Sequence, residues 1–322
     1  MALICSLLHD RQTKSVTQTV PEVVAFHFDH RWQEKSAEVA RWVETKLQAL
    51  GISTVIRRRV GTDESTARDS NLDDSSGLGP QSEGDARKQR YAALVQVAES
   101  LGATYALTGH TADDQTETVL MRIARGTGLS GLAGIPYQRR LSDSCQLIRP
   151  LLSESRQRLR DYLQEIEQEY WDDPTNTADH WTRNRVRQSV LPCLRQHLSP
   201  QIDASLQRLG QLASEHQEIV GCLAEVNRGA ILECRDQHLV VDVRALSHLP
   251  ESVVRTLLVH WWSQARFPQQ EMDFEHWSRL ASLVCRPVGS GAQTRWPSEC
   301  HFPGPIVAKR SAGVVRIVTQ LK

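Results

Sequence analysis

The sequence contains no apolar run near the ~20 residues that a membrane-spanning helix needs. Its opening stretch, MALICSLL, is apolar for only eight residues, has no basic lead and is followed by HDRQTK. Such a segment is a poor secretion signal. We therefore expect a cytoplasmic protein with no membrane partner.

The sequence also lacks any close pair of cysteines. The cysteines are seven, an odd number, and no two form a CxxC pair. This pattern argues against a disulfide framework, a zinc knuckle and an iron–sulfur site. We expect most of these cysteines to be small buried apolar residues. They stand at positions 5, 145, 193, 222, 234, 285 and 300.

Net charge is absent as well, because 38 Lys and Arg balance 38 Asp and Glu. A neutral chain has no general attraction for nucleic acid. The charges are nevertheless unevenly spread. Residues 181–208 carry five arginines and one acid, and residues 281–322 carry six Lys or Arg and one acid. A polyanionic partner would therefore meet the second half of the chain.

Strand-like and helix-like segments alternate in the first half of the chain, which favours an α/β fold with a parallel sheet. Helices follow, and after Gly229 short strands surround two Trp-rich helices. The predicted strands are 22–28, 52–58 and 104–109; the predicted helices are 36–50, 85–101, one from 111, 154–168, 184–197, 201–227, 251–264 and 271–284. At 322 residues the chain can hold two or three domains. We predict three: 1–150 with a mobile Ser/Asp-rich insertion at 61–84, a helical domain at 151–228, and an α+β domain at 229–322.

The stretch GHTADDQTETVL (109–120) is the most unusual one. Thr111 and Asp114 fit a helix capping box, which is a purely structural interpretation. However, Asp113 and Glu117 are four residues apart and share a helix face, where they repel each other. Leu120 and Met121 occupy the next turn, so the sequence predicts a cation from outside, either Mg²⁺ or a substrate ammonium. The segment also follows a parallel strand, where α/β sheets bind ligands.

Several segments in the same order resemble a known family. TGHTADDQTETVLMRIARGTGLSGLAGIP (108–136), FHFDH (26–30), EGDARKQRYAAL (83–94), IRPLL (148–152) and WDDPTNTADHWTRNRVRQSVLPCL (171–194) are similar to motifs of the tRNA(Ile)-lysidine synthetases. These enzymes belong to the N-type ATP pyrophosphatase (PP-loop) superfamily. The resemblance implies a parallel sheet of the adenine nucleotide alpha hydrolase-like type in the first domain.

The resemblance further implies an ATP-dependent ligase. The family adenylates the C2 carbonyl oxygen of the wobble cytidine of isoleucine tRNA with a CAU anticodon, and free L-lysine then displaces AMP from C2, which changes decoding from AUG to AUA. ATP and Mg²⁺ are the implied cofactors, and a homodimer is the implied assembly. By this resemblance Asp113 is the metal residue, and Asp114 and Glu117 are on the lysine side. The implied ATP or phosphate residues are His30, Arg87, Gly109 and His110, with His110 also catalytic, and the implied tRNA residues are Arg149, Asn176, Arg183, Asn184 and Arg187.

The sequence departs from the family pattern at its beginning. The Ser-Gly-Gly-x-Asp-Ser loop that cradles the ATP pyrophosphate in this family does not occur. We expect a misplaced start codon or a truncated gene, with the first strand and P-loop upstream of Met1, and poor ATP binding by the chain as written. Gln33 also stands where the family has arginine, and Thr111 where it often has histidine.

Three alternatives stay open. A tRNA thiolase would bring CxxC cysteines, which the chain lacks, and an amidating relative such as GMP synthetase would need a source of ammonia. The third alternative is a catalytically impaired tRNA-binding remnant. In the last domain, Trp261, Trp262, Trp277 and Trp296 either form a core or stack on bases, and we favour the core. The basic balance of residues 281–322 is consistent with phosphate contacts to tRNA.

Overall fold

The computed structural model describes residues 23–29, 36–58, 83–171, 182–269, 271–285 and 298–320. Several features named above lie outside these residues: Cys5, His30, Gln33, Asn176, Trp296 and nearly all of the 61–84 insertion. The chain divides into two compact units, one formed by 1–127 and 134–210 and the other by 128–133 and 211–322. Within the described residues no helix is long and apolar enough to cross a membrane.

The first unit begins with a parallel strand pair that is linked by a helix. β1 (Val24–Asp29) and α1 (Ser36–Ala49) lead to β2 (Ser53–Arg58), and β1 and β2 pair in parallel. The predicted helix at 36–50 is confirmed, and its residues Ala40 and Leu47 are buried. The helix thus covers the strand pair with its apolar side.

A second, three-stranded sheet follows α2 (Glu83–Ser100). β3 (Tyr105–Leu107) leads into α3 (Ala112–Ala124) and a short α4 (Leu129–Leu132), followed by the hairpin of β4 (Gln138–Arg140) and β5 (Gln146–Ile148). β5 lies in the middle, parallel to β3 and antiparallel to β4. Because β3 and β5 are parallel, their carboxyl ends lie side by side, and Thr108 N donates to Ile148 O at 3.1 Å. The segments that follow the two strands therefore meet.

Helices make up the rest of the first unit, as predicted. They are α5 (Arg156–Glu165), α6 (Thr182–Arg185), a single π-helical turn (Val186–Val190), α7 (Leu191–His197) and the beginning of α8 (Ile202–Val226). Val119 of α3 is fully buried in a cluster with Val186, Leu191 and Leu206. This apolar contact fixes the position of α3 against the segment that carries the arginines at 183 and 187.

The second unit is an antiparallel sheet covered by helices. After a 3₁₀ turn (Arg228–Ala230) come β6 (Ile231–Arg235), β7 (His238–Asp242), α9 (Val243–Leu246), α10 (Glu251–Gln264), α11 (Phe274–Cys285), β8 (Glu299–Phe302), β9 (Ile306–Ser311) and β10 (Val314–Thr319). The strand order is β6-β7-β10-β9-β8. The predicted helices at 251–264 and 271–284 and the predicted strands at the end of the chain are confirmed.

The tryptophans of this unit belong to its core. Trp261 and Trp262 are buried, and Trp262 Nε1 donates to Pro268 O at 3.0 Å. Trp277 packs edge-on against Trp262 with ring centroids 5.2 Å apart. The core interpretation is therefore confirmed for Trp261 and Trp262, and Trp277 packs, partly buried, against the same core.

The expectation of mostly buried cysteines is wrong for the described residues. Cys145 is buried, whereas Cys193, Cys222 and Cys234 are exposed, and Cys285 and Cys300 are intermediate. The physical reason is that Cys193 and Cys222 lie on the outer faces of amphipathic helices and Cys234 lies on the exposed strand β6. All six are free thiols.

Candidate active site

The predicted capping box at the start of α3 is confirmed. Thr111 is extended, with φ −116° and ψ 173°, and its Oγ1 accepts from Asp114 N at 3.4 Å. In return Asp114 Oδ2 accepts from Thr111 N and from Thr111 Oγ1, both at 2.8 Å. One oxygen of Asp114 is thus used by the cap, and its other oxygen points away from it.

The segment after β5 meets α3 at this cap. Ala112 N donates to Glu154 O at 2.9 Å, and Asp113 Oδ2 accepts from Arg156 N at 2.8 Å. Arg156 is the first residue of α5, directly after the N-cap Ser155. Asp113 therefore lies at the positive end of the α5 helix dipole, which favours an ionised carboxylate.

Glu117, one turn further along α3, is buried among three arginines. Its side chain is 1% exposed, and we call Arg156, Arg183 and Arg187 the arginine triad. Oε1 accepts from Arg156 Nη1 at 3.2 Å and from Arg187 Nε at 2.7 Å. Oε2 accepts from Arg183 Nε at 2.7 Å and from Arg187 Nη2 at 3.2 Å. Each oxygen thus receives two charge-assisted hydrogen bonds.

Asp114 shares the same arginines. Its Oδ1 lies 2.6 Å from Arg156 Nη2 and 3.4 Å from Arg183 Nη2. Burial alone would raise the pKa of Asp114, but Arg156, the Thr111 N–H and Arg183 outweigh burial and lower it. Burial likewise opposes the charge of Arg156, yet Asp114, Glu117 and Asp113 raise its pKa. The group is a largely buried ionic network.

The expectation that this acidic face is unneutralised is wrong. The next turn of α3 indeed supplies no cation, but α5, α6 and the π-helical turn do. These arginines are 39 to 70 residues away from Glu117 in sequence, so neighbouring positions on α3 give no sign of them. Two carboxylates and three guanidinium groups share the cluster.

His110 lies between this cluster and a second group of arginines. Its Nδ1 is 2.9 Å from Thr108 Oγ1. Burial, together with Arg149, Arg87 and Arg183, lowers the pKa of His110 to about 4, although the charge of Asp114 acts in the opposite direction. The imidazole is therefore neutral at pH 7, and one ring nitrogen is available as an acceptor.

The second group of arginines surrounds Tyr91 of α2. The guanidinium carbons of Arg87 and Arg139 lie 5.2 and 4.7 Å from the ring centroid of Tyr91. Arg149, which follows β5, is 1% exposed and donates through Nη1 to Pro136 O at 2.6 Å. Burial would raise the pKa of Tyr91, but Arg87, Arg149 and Arg139 lower it. This side of His110 is electropositive and suits an anion.

Most of the predicted site residues lie together in the first unit. Asp113, Asp114, Glu117, Arg183 and Arg187 meet at the start of α3. His110, Gly109, Arg87 and Arg149 lie toward the second arginine group; Gly109 is exposed, and a Cβ there would touch nothing within 4 Å. Asn184 is buried beside Arg183 on α6. The roles of these residues stay predictions.

Sequence reasoning missed Arg156, Arg139 and Tyr91. Arg156 carried one usable signal, because it starts the helix after β5 and so stands at the same sheet edge as α3. Parallel strands place their carboxyl-end segments together. No cluster of three or more His, Cys, Asp or Glu side chains in the described ranges could hold a metal by itself.

Comparison with known proteins identifies the family of the chain. Residues 1–194 match the PP-loop domain family, so the chain is an ATP-binding PP-loop protein with a mixed α/β fold. The chain is 35% identical to a tRNA(Ile)-lysidine synthase of Salinispora tropica over 88% of its length and 78% of the relative. It is 34% identical to the enzyme of Salinispora arenicola, over 90% of this chain and 80% of the relative, and 33% identical to that of a Nostoc species, over 88% of this chain and 79% of the relative. The chain belongs to the tRNA(Ile)-lysidine synthase family.

A solved structure, that of the U34-tRNA thiolase NcsA of Methanococcus maripaludis, also aligns with the chain. It is 15% identical, covers 66% of this chain and 67% of its own, and has a TM-score of 0.47. The curated relatives, which are far more similar, determine the family.

Proposed function

We propose that the protein ligates L-lysine to C2 of the wobble cytidine in isoleucine tRNA with a CAU anticodon, using ATP. ATP adenylates the C2 carbonyl oxygen with release of pyrophosphate, and the lysine ε-amino nitrogen then forms the C–N bond as AMP leaves. The lysidine synthases of Salinispora and Nostoc, which the chain matches over most of its length, support this proposal.

The observation that carries the proposal at the site is its two-sided charge. The charge of Asp114, which belongs to the acid cluster, raises the pKa of His110, whereas the charges of Arg149, Arg87 and Arg183 lower it. A ligation between an amine and a phosphate-activated base needs both: acceptors for an ammonium and its proton, and donors for phosphate. We assign Asp114 and Glu117 to the lysine amine, which must lose a proton to attack.

The basic side is assigned to phosphate groups. Arg87, Gly109 and His110 would contact the ATP phosphates together with His30, which lies outside the described residues. The neutral imidazole of His110 cannot repel Mg²⁺ or the arginines. Arg149, Arg183, Asn184 and Arg187 are assigned to tRNA, with Asn176 beyond the described part. Guanidinium groups are suited to phosphate because they bind it with two parallel hydrogen bonds.

A magnesium ion fits at Asp113. One of its oxygens accepts from Arg156 N, and Mg²⁺ characteristically takes one or two carboxylates together with substrate phosphates. When bound, the ion would neutralise phosphate charge. Asp113 would orient it, and the Arg156 N–H would hold the Asp113 carboxylate in place.

The wider organisation is part of the same proposal. Residues 1–150 would carry catalysis, 151–228 would bind the tRNA, and 229–322 would add phosphate contacts through the basic segment 281–322. The protein would act in the cytoplasm, as a homodimer. Removing a basic surface lowers the salt dependence of tRNA binding, so equal salt slopes with and without residues 229–322 would contradict the last assignment.

The reaction is tested with the full chain, ATP, Mg²⁺, ¹⁴C-lysine and the isoleucine tRNA transcript. We expect label in the tRNA and lysidine in its nucleoside digest. Asp113→Asn should abolish the incorporation of label into the tRNA. Asp161→Asn should not, because Asp161 accepts a hydrogen bond from Gln157 on α5, away from the acid cluster. A chain that shifts the tRNA in a gel yet transfers no lysine would contradict the proposal and favour a tRNA-binding remnant.

A further inference from the structure

The buried carboxylate of Glu117 has no hydrogen-bonding capacity left for a substrate. A carboxylate offers about four acceptor positions, and Glu117 uses four for Arg156, Arg183 and Arg187. Its side chain is 1% exposed, whereas the three arginines are 21–29% exposed. The arginine triad therefore lies between Glu117 and solvent.

Asp114 is engaged in the same way. Its Oδ2 is held by Thr111, and its Oδ1 accepts from Arg156 and Arg183. A lysine ε-ammonium is a donor without acceptors, as a guanidinium is, so it would compete for the oxygens that the triad already occupies. With three guanidinium groups on two carboxylates, a further cation would also be repelled.

We propose that the arginine triad fills the amine-binding position of the tRNA-free protein, and that phosphate groups of bound tRNA withdraw Arg187 and Arg183 and so open Glu117 to lysine. This inference rests on the proposed function, since it assumes that Glu117 and Asp114 receive the lysine amine. Its consequence is that lysine binds tightly only after tRNA.

The three arginines stand on different segments, and the segment of Arg183 and Arg187 is the one that the family resemblance assigns to tRNA. Arg156 is fixed twice, because its side chain contacts both acids and its backbone N–H donates to Asp113. Arg183 and Arg187 lie on a four-residue helix and on a single π-helical turn. Such π-helical turns are rare in proteins, but those that do occur are often found at functional sites. A phosphate accepts bidentate guanidinium contacts as well as a carboxylate does.

Arg156 is then a positioning residue of the lysine site. It keeps Asp114 and Glu117 together in the absence of lysine, which two adjacent carboxylates would otherwise resist. After Arg183 and Arg187 have moved away from Glu117, the cluster consists of two carboxylates and one guanidinium group. The cluster then has one negative charge to offer, which matches an ammonium.

The test is isothermal titration calorimetry of L-lysine into the full chain, alone and saturated with the isoleucine tRNA transcript, without ATP. We expect lysine to bind at least about tenfold more tightly with tRNA, within the 5–150-fold range typical of coupled sites. Saturating lysine must then tighten tRNA binding by the same factor, because coupling is reciprocal. Equal lysine affinity in the two titrations would overturn the inference while leaving the ligase function intact.

Two variants separate this device from general charge effects. Arg187→Ala removes a guanidinium from Glu117, so tRNA-free lysine binding should tighten at least about fivefold, a change at the lower end of coupled sites. Arg185→Ala removes the same charge two residues away, where the side chain contacts Thr182, and should leave tRNA-free lysine affinity unchanged. Equal affinities of Arg187→Ala and wild type would overturn the inference. If lysine binds neither with nor without tRNA, although the tRNA itself binds, both the inference and the proposed function are contradicted. The wild-type comparison decides the question even if Arg187→Ala does not fold.

Discussion

Replacing Glu117 by Gln tests the buried ionic network most directly. The amide keeps one acceptor oxygen and turns the other into an NH₂ group that faces guanidinium donors. Of the four hydrogen bonds that Glu117 accepts, two are lost and the other two lose the negative charge of their acceptor. Removing one partner of a buried ion pair costs about 3–5 kcal/mol. With 2–4 °C lost per kcal/mol in a unit of this size, the melting temperature should fall by about 6–20 °C.

The measurement is a thermal melt of wild type and Glu117→Gln, with Glu99→Gln as the matched control. Glu99 is exposed on α2, so its replacement should change stability by no more than about 0.5 kcal/mol. Repeating the melts in 1 M NaCl separates buried from exposed charge, because salt at that concentration screens beyond about 3 Å in water. The Glu117 effect should persist. A fall of under about 2 °C, or an effect that disappears in salt, would refute a buried network.

Three further predictions concern the surroundings of the acids. The pKa of His110 is about 4 in the folded protein, whereas it is about 6.5 in the unfolded chain, so the unfolded chain takes up a proton first as the pH falls. The wild type should therefore lose more stability than His110→Gln between pH 6.5 and 4. Parallel pH profiles of the two melting temperatures would contradict this. Thr111→Ala should cost about 0.5–2 kcal/mol by removing the cap, whereas Thr111→Ser should restore it in urea titrations. Gly134→Ala should cost about 1–3 kcal/mol, because Gly134 has φ +69° and its Cβ would overlap the Gln115 side chain; an unchanged urea midpoint would show that the loop adapts.

Local features were well predicted from the sequence because their causes are local. The cap pairs Thr111 with Asp114, only three residues apart. The helix Glu251–Gln264 was predicted with the bounds that it has, since its apolar periodicity is sustained over four turns. The order of strands and helices in the first unit followed for the same reason, and the family resemblance gave the class of sheet.

Short exposed strands could not be predicted in the same way. β4 has three residues, Gln138–Arg140, all exposed, so neither alternation nor apolar character distinguishes it from a loop. Its strand conformation comes from pairing with β5 and not from its own residues. Arg139 is placed over Tyr91 by that pairing, and for this reason the second arginine group was incomplete in the sequence-based prediction.

The charge state of the site depends on tertiary structure even more strongly. From spacing, Asp113 and Glu117 were the pair expected to repel each other. In the fold Asp113 turns to the start of α5, and Glu117 shares its arginines with Asp114. The parallel register of β3 and β5 brings α5 to α3, and the Val119–Val186 contact brings Arg183 and Arg187. Thus GHTADDQTETVL specifies the carboxylates, whereas the packing of distant segments decides which cations of the chain they hold.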